Sequence, residues 1–162
     1  MLEKALIAAL ILSIKGMMVP ESVCHDPDTG YAYVSNIVGP GWENDNVGFI
    51  SRLNADGSIE TLKWRERTKD TPLGAPKGMC VLNGFLYCAD IDQVQVSSLD
   101  APESTATIKV PEAQRLNDLA TDGKAVWASD TGRGMVVRID PPTRHVRWMK
   151  GVPVINGITF HK

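Results

Sequence analysis

Four polar side chains stand second in short, similar segments: Glu21 in "PESVCHD", Lys77 in "PKGMCVL", Asn117 in "LNDLATD" and Asn156 in "INGITFH". Their successive spacings are 56, 40 and 39 residues. Asn36, Asp90 and Asp130 close the aromatic-containing runs "YAYVSN", "FLYCAD" and "AVWASD" that follow the first three. Gathered in space, carboxylate and amide oxygens are hard ligands, fit for Ca²⁺, Mg²⁺, Mn²⁺ or a carboxylate-bound Zn²⁺. A cation held that way polarises a carbonyl or acidifies a bound water. His25, His145 and His161 are scattered, and no Gly-x-Ser-x-Gly elbow is present, so serine-nucleophile hydrolysis has no support.

Each candidate has a plainer role open to it. Asp90 and Asp130 are of a type that caps turns by accepting backbone N–H groups, and Asn117 and Asp118 are equally suited to this. An acidic group such as Glu21, near an apolar strand, needs a cationic or hydrogen-bonding partner. Lys77 is a candidate for that partner, as a salt bridge in place of a metal. The "ENDN" run at 43–46 reads as a solvated loop, and Trp42 beside it as either a hydrophobic lid or an anchoring contact.

What would bring these residues together is a repeat. A turn follows each of the first three leading segments ("PDTG", "NG", "DG"), and Asn-Gly or Asp-Gly between alternating runs is a strong hairpin signal. After the aromatic runs come "GFISRL", "VQVSSL" and "MVVRID", then "IETLKW", "ATIKVP" and "HVRWMK". Four short antiparallel strands recurring at this period make the blade of a propeller. The expected fold is all-β: a partial β-propeller of three four-stranded antiparallel blades, plus the inner strand of a fourth. The blades fall at about 20–64, 74–111 and 114–151, and the extra strand at 153–160. The loop "IVGPGWENDNVG" lengthens the first spacing. In a blade, the start of strand one and the end of strand two share a face. Glu21, Lys77, Asn117, Asn156, Asn36, Asp90 and Asp130 are therefore expected at one mouth of the axis.

Composition narrows the classes. Apolar residues at 43% and charged residues at 22% suit one globular domain over residues 20–162. A net charge of -2 with no Lys/Arg run argues against nucleic acid as a partner. Within the leader, residues 1–19, the apolar stretch from Ala5 to Ile14 is too short for a bilayer, which needs about 20 residues. It reads as the core of an export signal, leaning the localisation towards periplasmic or secreted, or as a short element packed on the body. Cys24, Cys80 and Cys88 lack metal-type spacing and read as small buried side chains. Rings of this kind hold roughly four to eight blades. Three blades leave open edges, so the chain is expected to be part of a longer propeller or to meet a second chain completing the ring.

The segments "PESVCHDPDTGYAYVSN", "APKGM…LYCADID", "RLNDLATDG…VWASDTGRG" and "INGITF" resemble the regucalcin and gluconolactonase-like six-bladed propellers, which shade into the NHL-repeat propellers. The resemblance implies a divalent cation at the axis mouth and hydrolysis of sugar lactones or related esters. It implies metal ligands at Glu21 and Asn156, and a substrate- and water-binding segment at Arg115, Asn117 and Asp118. The third metal ligand of that family, an Asp that also serves as acid/base, would fall on a blade beyond residue 162, and Glu21 stands in a Pro-Glu-Ser context where the lactonases have a Gly-rich one. This chain alone is therefore expected to be inactive. The alternative is a non-catalytic NHL-like propeller that binds a ligand or a protein.

Overall fold

The computed structural model describes residues 14–160, so the apolar run of the leader lies almost wholly outside the described residues. Twelve strands form three four-stranded antiparallel sheets, each laid down in chain order. The first holds β1 (Pro20–His25), β2 (Ala32–Asn36), β3 (Phe49–Leu53) and β4 (Ile59–Glu66). The second holds β5 (Pro76–Leu82), β6 (Phe85–Asp90), β7 (Gln93–Ser98) and β8 (Thr105–Lys109). The third holds β9 (Leu116–Thr121), β10 (Val126–Asp130), β11 (Met135–Asp140) and β12 (His145–Gly151). No helix among the described residues is long and apolar enough to cross a membrane.

Turn chemistry explains the inner hairpins. Leu82 pairs with Phe85 across Asn83 and Gly84, whose φ values of 52° and 76° are those of a two-residue hairpin turn twisted to match its strands. In the first sheet Asp26 accepts from the backbone N–H of Asp28 and the Thr29 hydroxyl; in the third, Asp122 accepts from Lys124, Ala125 and the Trp127 indole.

The core lies between sheets. Tyr33, Ile50 and Trp64 of the first blade pack on Leu73, Met79, Leu86 and Cys88, with the Tyr33 and Trp64 rings 4.8 Å apart. Cys80, Leu82, Tyr87, Val94 and Ile108 of the second pack on Leu116, Leu119, Val126, Val137 and Ile139 of the third. The inner strands β1, β5 and β9 are neighbours in that order. Sandwiched between two blades, β5 is buried almost throughout, whereas β1 has a neighbour on one side and leaves Val23 67% exposed. Cys24, Cys80 and Cys88 are free thiols. Burial pushes the Cys24 thiol up to about 11, leaving it little thiolate at neutral pH.

One expectation is corrected. Residues 152–160 contain no strand. The segment starts with a backbone bond from the Val152 N–H to the Gly134 carbonyl and then lies against blade three through side chains: the Ser129 hydroxyl donates to the Asn156 carbonyl and Thr131 to that of Ile155, while the Ile158 N–H donates to Asp118 Oδ2 at 2.9 Å. A ladder needs a strand on at least one side. With none beside it among the described residues, this backbone takes hydroxyl and carboxylate partners instead.

Candidate functional site: the axial mouth

Each inner hairpin breaks register at the candidate residues. Pro20 pairs with Asn36 and Ser22 with Ser35, leaving Glu21 unmatched. Pro76 pairs with Asp90 and Met79 with Cys88, so Lys77 and Gly78 face one residue. Leu116 pairs with Asp130 and Leu119 with Ala128, so Asn117 and Asp118 do the same. A bulge releases a side chain from the pleat and re-aims it. In two blades a serine repairs the ladder: Ser35 Oγ accepts the Ser22 N–H and Ser129 Oγ that of Asp118, both at 3.0 Å.

The re-aimed side chains converge. Glu21, Ser22, Asn117, Asp118 and Asn156 line a polar cavity of about 160 Å³. Ser22 was not among the sequence candidates, yet it stands next to Glu21 as Gly78, Asp118 and Gly157 stand next to their own leading residues. Asp118 is wedged between two of those glycines. A Cβ on Gly78 would lie 2.5 Å from the Asp118 Cα and would overlap Oδ1, while one on Gly157 would meet Oδ2 at 3.7 Å. Glycine at position 78 is thus what admits Asp118 to the axis.

Asn36, Asp90 and Asp130 do end the second strands, but they are not free mouth residues. All three are essentially fully buried. Asp90 accepts from the N–H groups of Gly74 and Ala75 and the amides of Gln93 and Gln95. Asp130 accepts from Gln114, Arg115 and Arg133, and Asn36 Oδ1 accepts from Met18. Each clips the chain segment entering its own blade through backbone donors, and Asp90 also takes two side-chain amides, so these oxygens are spent within the blade.

The second part of the mouth is cationic. Lys77 is 3% exposed, yet its ammonium makes no hydrogen bond and no ion pair within 4 Å among the described residues. It lies 4.4 Å from the centre of the Trp42 ring, and the exposed Arg115 guanidinium is 5.6 Å from the same ring. Trp42 reaches across from the blade-one loop, which is seated by Asn44 and Glu43 packing on Gly74. The salt bridge considered between Glu21 and Lys77 is absent; the two interact at longer range. Burial raises the Glu21 carboxyl above its ordinary value, Lys77 opposes this and Asp118 adds to it. Burial lowers the Lys77 ammonium, with Glu21 the strongest opposing influence.

No group of three or more His, Cys, Asp or Glu side chains poised for a metal exists among the described residues. The oxygen donors at the cavity are two carboxylates, two amides and a hydroxyl, a hard set in which a six- to eight-coordinate cation would keep several waters.

No protein-family model and no curated protein matches the chain. Solved structures do. A chain of a nidogen/laminin complex superposes with a TM-score of 0.68 at 18% identity, over 90% of this chain and 53% of that one. Virginiamycin B lyase from Staphylococcus aureus superposes with a TM-score of 0.62 at 15% identity, over 87% of this chain and 45% of that one. Its catalytically inactive variant with quinupristin gives 0.58 at 14%, over 83% and 41%. Three consecutive four-stranded blades set around an axis make this a β-propeller fold. The chain spans about half the length of the propellers it matches.

Proposed function

We propose that the chain carries a small-molecule binding site at the propeller's axial mouth, with a divalent cation held by Glu21 and Asn156. The observation that carries this is the cavity itself. Glu21, the adjacent Asn117 and Asp118, and Asn156 come from three distant parts of the sequence and line one polar space, three of these residues re-aimed by register breaks. Glu21 and Asn156 supply the outward oxygens. Asp118, already fastened by the N–H groups of Leu119 and Ile158, serves as a charged wall. A bound Ca²⁺, Mg²⁺, Mn²⁺ or Zn²⁺ would act as a Lewis acid towards a ligand carbonyl. Asn117 would orient ligand hydroxyls.

A second reading, hydrolysis of a sugar lactone or related ester, draws on Glu21. A carboxyl lifted by burial and by a neighbouring carboxylate is suited to proton transfer. In that reading the chain contributes one part of a larger site and turns over no lactone by itself.

Calorimetric titration with Mn²⁺ and Ca²⁺ tests the cation. Binding is expected in the native chain and should weaken by about tenfold or more in Glu21→Gln. Equal heats for both proteins would end the cation proposal.

A further inference from the structure

The three blades repeat one cross-strand row, and blade two breaks it. In blades one and three an aromatic residue on the second strand faces an arginine on the third: Tyr33 opposite Arg52 and Trp127 opposite Arg138. Each arginine is neutralised in place, Arg52 by Glu60 at 2.7 Å and Arg138 by Asp140 at 2.6 Å. Each also lies over an indole, 5.8 Å from the Trp64 ring centre and 5.7 Å from that of Trp127. Blade two puts Val96 opposite Tyr87 and Ala106 next in the row, where its neighbours have Thr61 and Arg147. The acids are missing as well, for Thr105 and Ser98 stand where the others have Glu60 and Asp140. Losing a long side chain and its partner leaves space, and a cavity of about 290 Å³ lies there. Phe85, Tyr87, Val96 and Ala106 line it from blade two; the turn between β11 and β12 lines it from blade three through Pro141, Pro142 and Arg144. Asn83 at its edge sets it at the turn end of the hairpin, away from Lys77 and Asp90 and so from the axial mouth.

We propose that this cavity between blades two and three binds a small aromatic carboxylate, with the ring inside and the carboxylate on Arg144. With both halves of the ion pair gone the interior is uncharged, so it favours an apolar ring over an ion. An apolar cavity of about 150 Å³ already takes benzene, so a single substituted ring fits here. Phe85 is 41% exposed and Tyr87 5%, two rings on one face of β6 that suit edge-on or offset contact with a third. Pro141 and Pro142 restrict the facing turn, so binding has little disorder to remove there. Arg144 is exposed and has no ion pair among the described residues, which leaves its guanidinium fork open to a carboxylate at the rim. A cation would meet that same charge, and no acidic side chain among the described residues lines the cavity to offset it. The site depends neither on the axial mouth nor on a metal there.

The test is a titration with 3-(4-fluorophenyl)propanoate and with its uncharged amide, followed by the ligand's fluorine resonance and by the Phe85 and Tyr87 ring signals. The acid should bind saturably in about the millimolar range, and the amide about fivefold more weakly. Arg144→Gln should bring the acid down to the level of the amide and leave the amide unchanged. Ala106→Leu should fill the cavity and weaken both ligands by about tenfold or more. Arg144 is exposed, so its variant keeps the test valid if Ala106→Leu fails to fold. No saturation by roughly 20 mM would overturn the proposal, as would equal affinity for acid and amide, or ring shifts confined to residues outside the cavity. Phe85 shifts that depend on protein concentration without ligand would assign the cavity to contact between copies of the chain and overturn it too. Glu21→Gln separates this site from the mouth: it should abolish Mn²⁺ binding while leaving both titrations unchanged. Loss of the acid's binding in that variant would join the cavity to the mouth and overturn it as a separate site.

Discussion

Two rings of polar residues sit one residue apart in the paired strands of these blades, and they behave oppositely. Asn36, Asp90 and Asp130 occupy equivalent places and do the same work, holding the entering backbone through buried oxygens. Glu21, Lys77 and Asn117 also occupy equivalent places, beside Pro20, Pro76 and Leu116, yet they are an acid, a base and an amide. Where a backbone N–H must be met in every blade, only an acceptor will serve. Where the register break leaves the side chain unpaired, the blade sets no such demand and the residue is free to suit a ligand. Sameness marks scaffold here and difference marks site.

The contrast is sharpest if broken at the scaffold ring. Asp90→Ala would strand two buried backbone donors and two buried amides, and chemical denaturation should show a loss of about 3 kcal/mol or more. Asp130→Ala should behave similarly. If either cost no more than Glu21→Gln, the division between the rings would be wrong.

An intermediate effect is expected where the rings meet. Gly78→Ala would drive a methyl group into the Asp118 backbone of the neighbouring blade, and overpacking of this kind costs about 1–3 kcal/mol. Because Asp118 must shift, Mn²⁺ affinity should fall with stability. A stable variant with unaltered Mn²⁺ binding would show that Asp118 does not shape the cavity.

The smallest effect is at Glu21 itself. Its carboxyl is raised in the folded state above the ordinary 4.5, so the folded chain holds that proton more tightly than the unfolded one. The associated stability is present below about pH 4.5 and is lost as pH rises through the folded value. Denaturation of wild type and Glu21→Gln should therefore coincide at low pH. At neutral pH the variant should be equal or slightly more stable, by at most about 0.5 kcal/mol given the exposure of Glu21. A variant markedly less stable at pH 7 would place Glu21 with the scaffold ring.

Much of this was legible along the chain. The Asn83–Gly84 and Asp122–Gly123 turns and the alternating runs mark every one of the twelve strands, because strand pairing at short range is governed by local turn chemistry. The repeat also foretold that Glu21, Asn117 and Asn156 share a face. That Asp90 and Asp130 accept backbone N–H groups was legible in their residue type and place, but not which donors: these lie fifteen or sixteen residues away, on the segment entering each blade. Ser22 was hidden in the same way, since a serine beside an acid has no signature until the space beside it is known.

Sequence alone, through its period and its turns, determined that this chain makes blades and which residues head them, for those are short-range matters of twist and alternation. Tertiary structure decided which polar groups remain unspent, where Trp42 lands relative to Lys77 and Arg115, and that residues 152–160 form no strand. These depend on which atoms meet across blades, and burial or exposure of a charge is set by neighbours far along the chain.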